Sequence, residues 1–107
     1  MEIAMITHDC TDPRGLAKFY AALLDAELEH ESKEFCIVAS TPKLGFQEVA
    51  RPHASKNRVH IDLHSTDREA AVERAVELGA RRGESHTGDD LSWTTMYDPE
   101  GNVFDIV

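Results

Sequence analysis

The 107-residue sequence predicts an α+β fold built from two βαβββ modules, and three observations predict it. First, a stretch near the start returns later in the chain. Ala4-Met5-Ile6-Thr7-His8-Asp9-Cys10-Thr11-Asp12 lines up with Val59-His60-Ile61-Asp62-Leu63-His64-Ser65-Thr66-Asp67, with identical pairs Ile6/Ile61, Thr11/Thr66 and Asp12/Asp67. Second, both copies alternate like a strand and run directly into a helix-start signal. Third, each helix pattern is followed by short strand-like runs separated by turn residues.

Taken in order, Ile3–Cys10 reads as a strand. Asp12 then suits an N-cap and Pro13 the first helical position, where its missing N–H costs nothing. Leu16, Phe19, Tyr20 and Leu23 form one apolar helical face, and the helix ends near Asp25. Three strands are expected at Ala26–His30, Glu34–Ala39 and Leu44–Val49, with turns at Ser32-Lys33 and Thr41-Pro42-Lys43. Arg51–Lys56 reads as a linker between module one (about residues 1–50) and module two (about 57–107) of a single domain. The pattern restarts with a strand at Arg58–His64 and a capping box at Thr66-Asp67-Arg68-Glu69. Ala71, Val72, Ala75, Val76 and Leu78 make a second apolar stripe that Gly79 stops. Leu78 and Ala80 here match Leu24 and Ala26 of the first copy. Strands are then expected at Ala80–Gly83, Leu91–Tyr97 and Val103–Val107, the last two joined by the tight turn Asp98-Pro99-Glu100-Gly101-Asn102.

Composition narrows the function classes. The chain has 20 acidic against 11 basic residues and a net charge of -9, with no basic face or tail. A nucleic-acid partner is therefore not expected. No apolar run approaches the roughly 20 residues of a membrane span, and Met1–Thr11 carries no export pattern, so a cytoplasmic protein without a membrane partner is expected. Cys10 and Cys36 are accordingly expected as free thiols. There is no Gly-rich phosphate loop and no nucleophile arrangement.

Alternation divides each opening strand into two faces. Ile6, His8 and Cys10, like Val59, Ile61 and Leu63, should meet the helix. Met5, Thr7 and Asp9, with His60, Asp62 and His64, then occupy the opposite, polar face. A sheet curled over that face makes a concave site, whereas a flat one leaves it in water. Asp9, Asp62 and His64 are the candidate proton-transfer groups. Met5, Thr7 and Trp93 are candidate ligand-binding residues. The alternatives are plain: the carboxylates bind Arg58 or backbone amides, and Trp93 is core. His8 reads as a core histidine, while His30, His53 and His86 lie near turns or the linker. Ser85–Asp90 reads as a loop able to cover the site.

Several segments together resemble the glyoxalase-like domains of the vicinal oxygen chelate superfamily, with glyoxalase I, bleomycin-resistance proteins and extradiol dioxygenases. They are the strand ending in Asp12-Pro13, the helix Leu16–Leu24, the strand Asn57–Leu63, Leu78-Gly79-Ala80 and Asp98-Pro99-Glu100-Gly101-Asn102. The resemblance covers essentially the whole chain. It implies eight strands curling as a mixed sheet around a cup, helices outside, and a homodimer. It also implies a metal set drawn from the first and last strands of each module, which carries over to Met5, Gln47, His60 and Asp105. Gln47 keeps an oxygen without the charge of the family's frequent glutamate, and Met5 offers hard ions only a thioether. His60-x-Asp62-x-His64 is an alternative ligand set.

Two functions remain open at this level. One is a protein that sequesters a small organic molecule in its cup. The other is a lyase, isomerase or dioxygenase whose divalent ion (Ni, Mn, Fe, Co or Zn) chelates substrate oxygens at His60, Gln47 and Asp105.

Overall fold

The computed structural model describes residues 1–52, 55–88 and 90–107. His53 of the expected linker and Asp89 of the expected covering loop lie outside the described residues. The chain divides into two compact units, Met1–Pro52 and His53–Val107.

The first unit runs β1 (Met5–Cys10), α1 (Pro13–Leu23), β2 (Leu28–Glu31), β3 (Phe35–Val38) and β4 (Lys43–Glu48). Its sheet has the order β1-β4-β3-β2, with β1 and β4 parallel and the other pairs antiparallel. The second runs β5 (Asp62–Leu63), α2 (Arg68–Glu77), β6 (Arg81–Thr87), β7 (Ser92–Tyr97) and β8 (Val103–Ile106). Its order β5-β8-β7-β6 repeats the same pairing pattern. The fold is thus α+β, two βαβββ modules each with a mixed four-stranded sheet. Among the described residues no helix is long and apolar enough to cross a membrane.

Local chemistry explains α1. The Asp12 carboxylate accepts from the Gly15 amide at 3.2 Å, which satisfies one orphan N–H of the first turn, and Pro13 follows the cap. The helix buries Leu16, Ala17, Phe19 and Tyr20. Tyr20 stacks on Phe46 of β4 at 5.5 Å, and Phe46 in turn stacks on His8 of β1 at 4.9 Å. His8 therefore sits among core aromatics. Cys10 and Cys36 are buried free thiols. The exposed edge strand β2 carries Glu29 and Glu31, paired with Lys43 and with Arg14 and Lys18. Charges on an edge discourage pairing with another chain.

Helix α2 departs from expectation at its start. Asp67, not Thr66, is the N-cap, accepting from the Ala70 amide at 3.1 Å. With Asp67 as N-cap, Ala70 holds the N3 position and no capping box forms, while Glu69 pairs with Arg82 of β6, 2.6 Å distant. The Arg82 guanidinium hydrogen-bonds that carboxyl and holds it below its ordinary value. The apolar stripe is also narrower than predicted: Val72 and Ala75 are buried, while Val76 is 46% exposed. Gly79 ends the helix at φ 119°, a left-handed conformation suited to glycine.

Two more differences bear on the site. Strand β6 extends to Thr87, so Ser85 and His86 pair with Thr94 and Trp93 instead of forming a covering loop. Strand β5 is far shorter than Arg58–His64. The reason is Asn57, whose side-chain amide takes the Val103 backbone: Val103 N–H donates to Oδ1 at 2.7 Å, and Nδ2 donates to the Val103 carbonyl at 3.1 Å. A side-chain clamp thus replaces ladder pairing at this end of β8, and the backbone ladder resumes where the Asp105 amide donates to the Ile61 carbonyl. At the preceding hairpin, buried Asp98 accepts from the Glu100 and Asn102 amides at 2.9 and 3.0 Å, and Gly101 takes φ 84°.

Candidate functional site

The chemistry-bearing groups of the second unit converge on one face of its sheet. Asp62 and Asp105 are direct register partners across β5 and β8. His60 stands two residues before Asp62, between the Asn57 clamp and β5. Its Nε2 lies 3.3 Å from Asp62 Oδ1 and 3.3 Å from Asp105 Oδ2. Donor atoms of the three residues lie within 4.8 Å of one another. Asp62 is exposed, whereas the Asp105 side chain is only 12% exposed. Its Oδ1 is buried without a hydrogen-bond partner. Two carboxylates facing one imidazole make a strongly negative focus, and an orphaned carboxylate oxygen is costly unless a cation meets it.

Next to this cluster lies a pocket of about 470 Å³ lined by Lys56, His60, His86, Trp93, Thr95, Tyr97, Val103 and Asp105. Trp93, Thr95 and Tyr97 are alternate residues of β7 and so share a face. Trp93 stacks on His86 of β6 with ring centroids 5.1 Å apart. Arg81 sits over the Tyr97 ring at 4.0 Å. Gly83 is needed behind this wall, because a Cβ there would fall 2.7 Å from the Thr95 carbonyl oxygen.

The first unit presents Met5, Thr7 and Asp9 on the opposite side of β1 from the core histidine His8. Asp9 pairs in register with Gln47, and Thr7 with Gly45. Met5 and Thr7 crowd Gly45, where a Cβ would meet Thr7 Oγ1 at 2.8 Å and Met5 Sδ at 3.0 Å.

These placements sort the expected site residues. His60, Asp62 and Asp105 come together, and Trp93 lines the adjoining pocket. His64 does not join them. Four residues of extended chain separate it from His60 by roughly 13 Å, against the roughly 4.8 Å between strands that brings Asp105 beside Asp62. The donor cluster that the structure describes is His60/Asp62/Asp105, without His64. Gln47 pairs in register with Asp9. Thr7 and Asp62 are equivalent in the repeat, and their register partners are Gly45 and Asp105. Gly45, not Gln47, is thus the first-unit counterpart of Asp105. Lys56, Thr95, Tyr97 and Val103 were not singled out from sequence, although the alternation of Trp93, Thr95 and Tyr97 carried the signal for two of them.

The Asn57 clamp should matter to this geometry. Asn57→Ala is expected to cost about 1–3 kcal/mol by leaving the Val103 N–H and carbonyl unpaired. Hydrogen exchange read by NMR should show the Val103 amide losing protection, and unchanged protection there would refute the clamp.

No curated protein matches the chain. Solved structures do resemble it. A glyoxalase/bleomycin resistance protein/dioxygenase family enzyme from Burkholderia phytofirmans PsJN superposes with TM-score 0.85 at 18% identity, covering 99% of this chain and 97% of that one. A mutant of the fosfomycin resistance protein of Listeria monocytogenes, complexed with Mn(II) and 1S,2S-dihydroxypropylphosphonic acid, gives TM-score 0.82 at 15% identity, with 98% and 87% covered. The bleomycin-binding protein of Streptomyces verticillus, complexed with copper(II)-bleomycin, gives 0.72 at 15% identity, with 100% and 95% covered. At these identities the likeness shows a shared fold. The family model for the glyoxalase-like domain matches residues 5–107, and the chain belongs to that family.

Proposed function

We propose that the protein binds a small organic molecule in the pocket of the second unit. The observation that carries this reading is the convergence of an aromatic wall (His86, Trp93, Tyr97) with His60, Asp105, Thr95 and Lys56 around about 470 Å³. Sites of this kind hold a ligand's apolar body on aromatic surface and fix its orientation with few polar groups. The copper(II)-bleomycin and phosphonate complexes of the similarly folded proteins support it. The homodimer that the family resemblance implies and the cytoplasmic location expected from the sequence complete the reading.

A fragment set of aromatic carboxylates, aromatic amines and catechols tests it by NMR titration. Hits should shift the amides of Trp93, Thr95 and Tyr97, and Trp93→Ala should weaken them at least tenfold. Hits that scatter over the surface, or that survive Trp93→Ala unchanged, would overturn the proposal.

A second reading is favoured by the orphaned Oδ1 of Asp105 beside His60 and Asp62. One imidazole and two carboxylates suit Mn, Fe, Co, Ni or Zn. A divalent ion held there would act as a Lewis acid on ligand oxygens, as a metal-dependent lyase, isomerase or dioxygenase requires. His60 and Asp105 would hold it, and the aromatic wall would orient the ligand and exclude water from one side.

A further inference from the structure

We propose that a divalent cation binds wholly on ligands of the second unit, His60, Asp62 and Asp105, with Asp62 as a full ligand and none from the first unit. This deepens the metal-dependent reading above and rests on it.

The second unit supplies a complete donor set. Bonds of about 2.0–2.2 Å from one ion to nitrogen and oxygen leave neighbouring donors roughly 3–3.5 Å apart. The two separations from His60 Nε2, to Asp62 Oδ1 and to Asp105 Oδ2, are both 3.3 Å. The spacing is thus already that of ligands around one ion. Asp105 Oδ1, buried and without a hydrogen-bond partner, is a further acceptor in want of a positive charge. Asp62 is exposed, so its carboxylate can adjust to an ion by side-chain rotation alone.

The first unit shows what the same three positions look like without this chemistry. The repeat sets Met5 against His60 and Thr7 against Asp62. The strand registers set Gly45 against Asp105. A thioether, a hydroxyl and no side chain stand where the second unit has an imidazole and two carboxylates. The space is closed as well, because Thr7 Oγ1, Met5 Sδ and Phe35 Cζ all lie within 3.2 Å of where a Gly45 Cβ would be. At these positions only the second module carries the donor set.

The test uses the full chain, stripped with chelator and titrated with Mn(II), counting the free ion by its electron paramagnetic resonance signal. Quenching of Trp93, the single tryptophan, by Co(II) gives a second readout at the pocket. One equivalent bound by the unaltered protein supports the metal-dependent reading, and affinity no better than millimolar sinks both that reading and this inference. If the ion binds, Asp62→Asn should weaken it at least tenfold, as should Asp105→Asn, while Gln47→Ala and Met5→Ala stay within twofold. Circular dichroism establishes that each variant is folded. Wild-type affinity in Asp62→Asn, or a tenfold loss in Gln47→Ala, would overturn the inference while leaving the metal-dependent reading intact.

Discussion

Phe46→Ala is expected to lower the unfolding free energy by about 3–5 kcal/mol, the cost of a large apolar truncation in a rigid core. Phe46 is fully buried and lies nearly parallel to the rings of both His8 and Tyr20. Tyr20 in turn meets Phe19 edge-on at 4.9 Å. Truncation removes the middle of this stack, and rings held by β1, β4 and α1 cannot collapse into the void. Since small proteins hold only about 5–15 kcal/mol in total, the loss should leave the first unit largely unfolded at modest urea. The contrast is Val76→Ala on α2, where the half-exposed side chain should change stability by less than about 0.5 kcal/mol. Urea titrations followed by circular dichroism compare the two. A Phe46→Ala midpoint close to that of Val76→Ala would contradict this account of the core.

That contrast also shows where sequence patterning reaches and where it stops. Leu16, Phe19 and Tyr20 are large and periodic, and the face they define is the buried one. In α2 the stripe is made of alanines and valines, which pack equally well or badly on either flank, so periodicity alone placed Val76 inside. Capping followed the same division. The Asp12/Asp67 pair marks both helix starts, and with Asp67 as the cap Glu69 stands one place short of the box position and pairs with Arg82 instead. Strand β5 was over-long in the reading for a related reason. Alternation says which faces residues take, not whether a neighbouring strand is free to pair, and Asn57 had already taken the Val103 groups.

The candidate site was legible in its residue types and less so in their grouping. Alternation put His60 and Asp62 on one face, and the Gly101 turn marked the strand bearing Asp105. That Asp62 and Asp105 stand side by side is a fact of parallel register, which no single-strand pattern contains. Gln47 entered through the family resemblance, and the ladder pairs it with Asp9. Residues two apart in a strand share a face, so alternation does not separate Gln47 from Gly45, whereas the ladder sets Gly45 against Thr7. Glycine, having no side chain, is the residue that a search for ligands passes over.

The second large effect expected is an inversion of stability order at Asp105. In the folded chain Asp105 is a buried carboxylate with one oxygen unpartnered. Asn in its place removes the charge while keeping the shape, so in chelator Asp105→Asn should be more stable than the unaltered chain by about 1 kcal/mol. With Mn(II) at 100 times its dissociation constant the unaltered chain gains about 2.7 kcal/mol, since the ion binds the native state alone. The variant has lost a ligand and gains little, so the order reverses. Thermal unfolding with and without Mn(II) reads both halves. A variant less stable in chelator by about 2 kcal/mol or more would mean that ordinary protein contacts hold the Asp105 carboxylate, and the case for a cation site would fail with it.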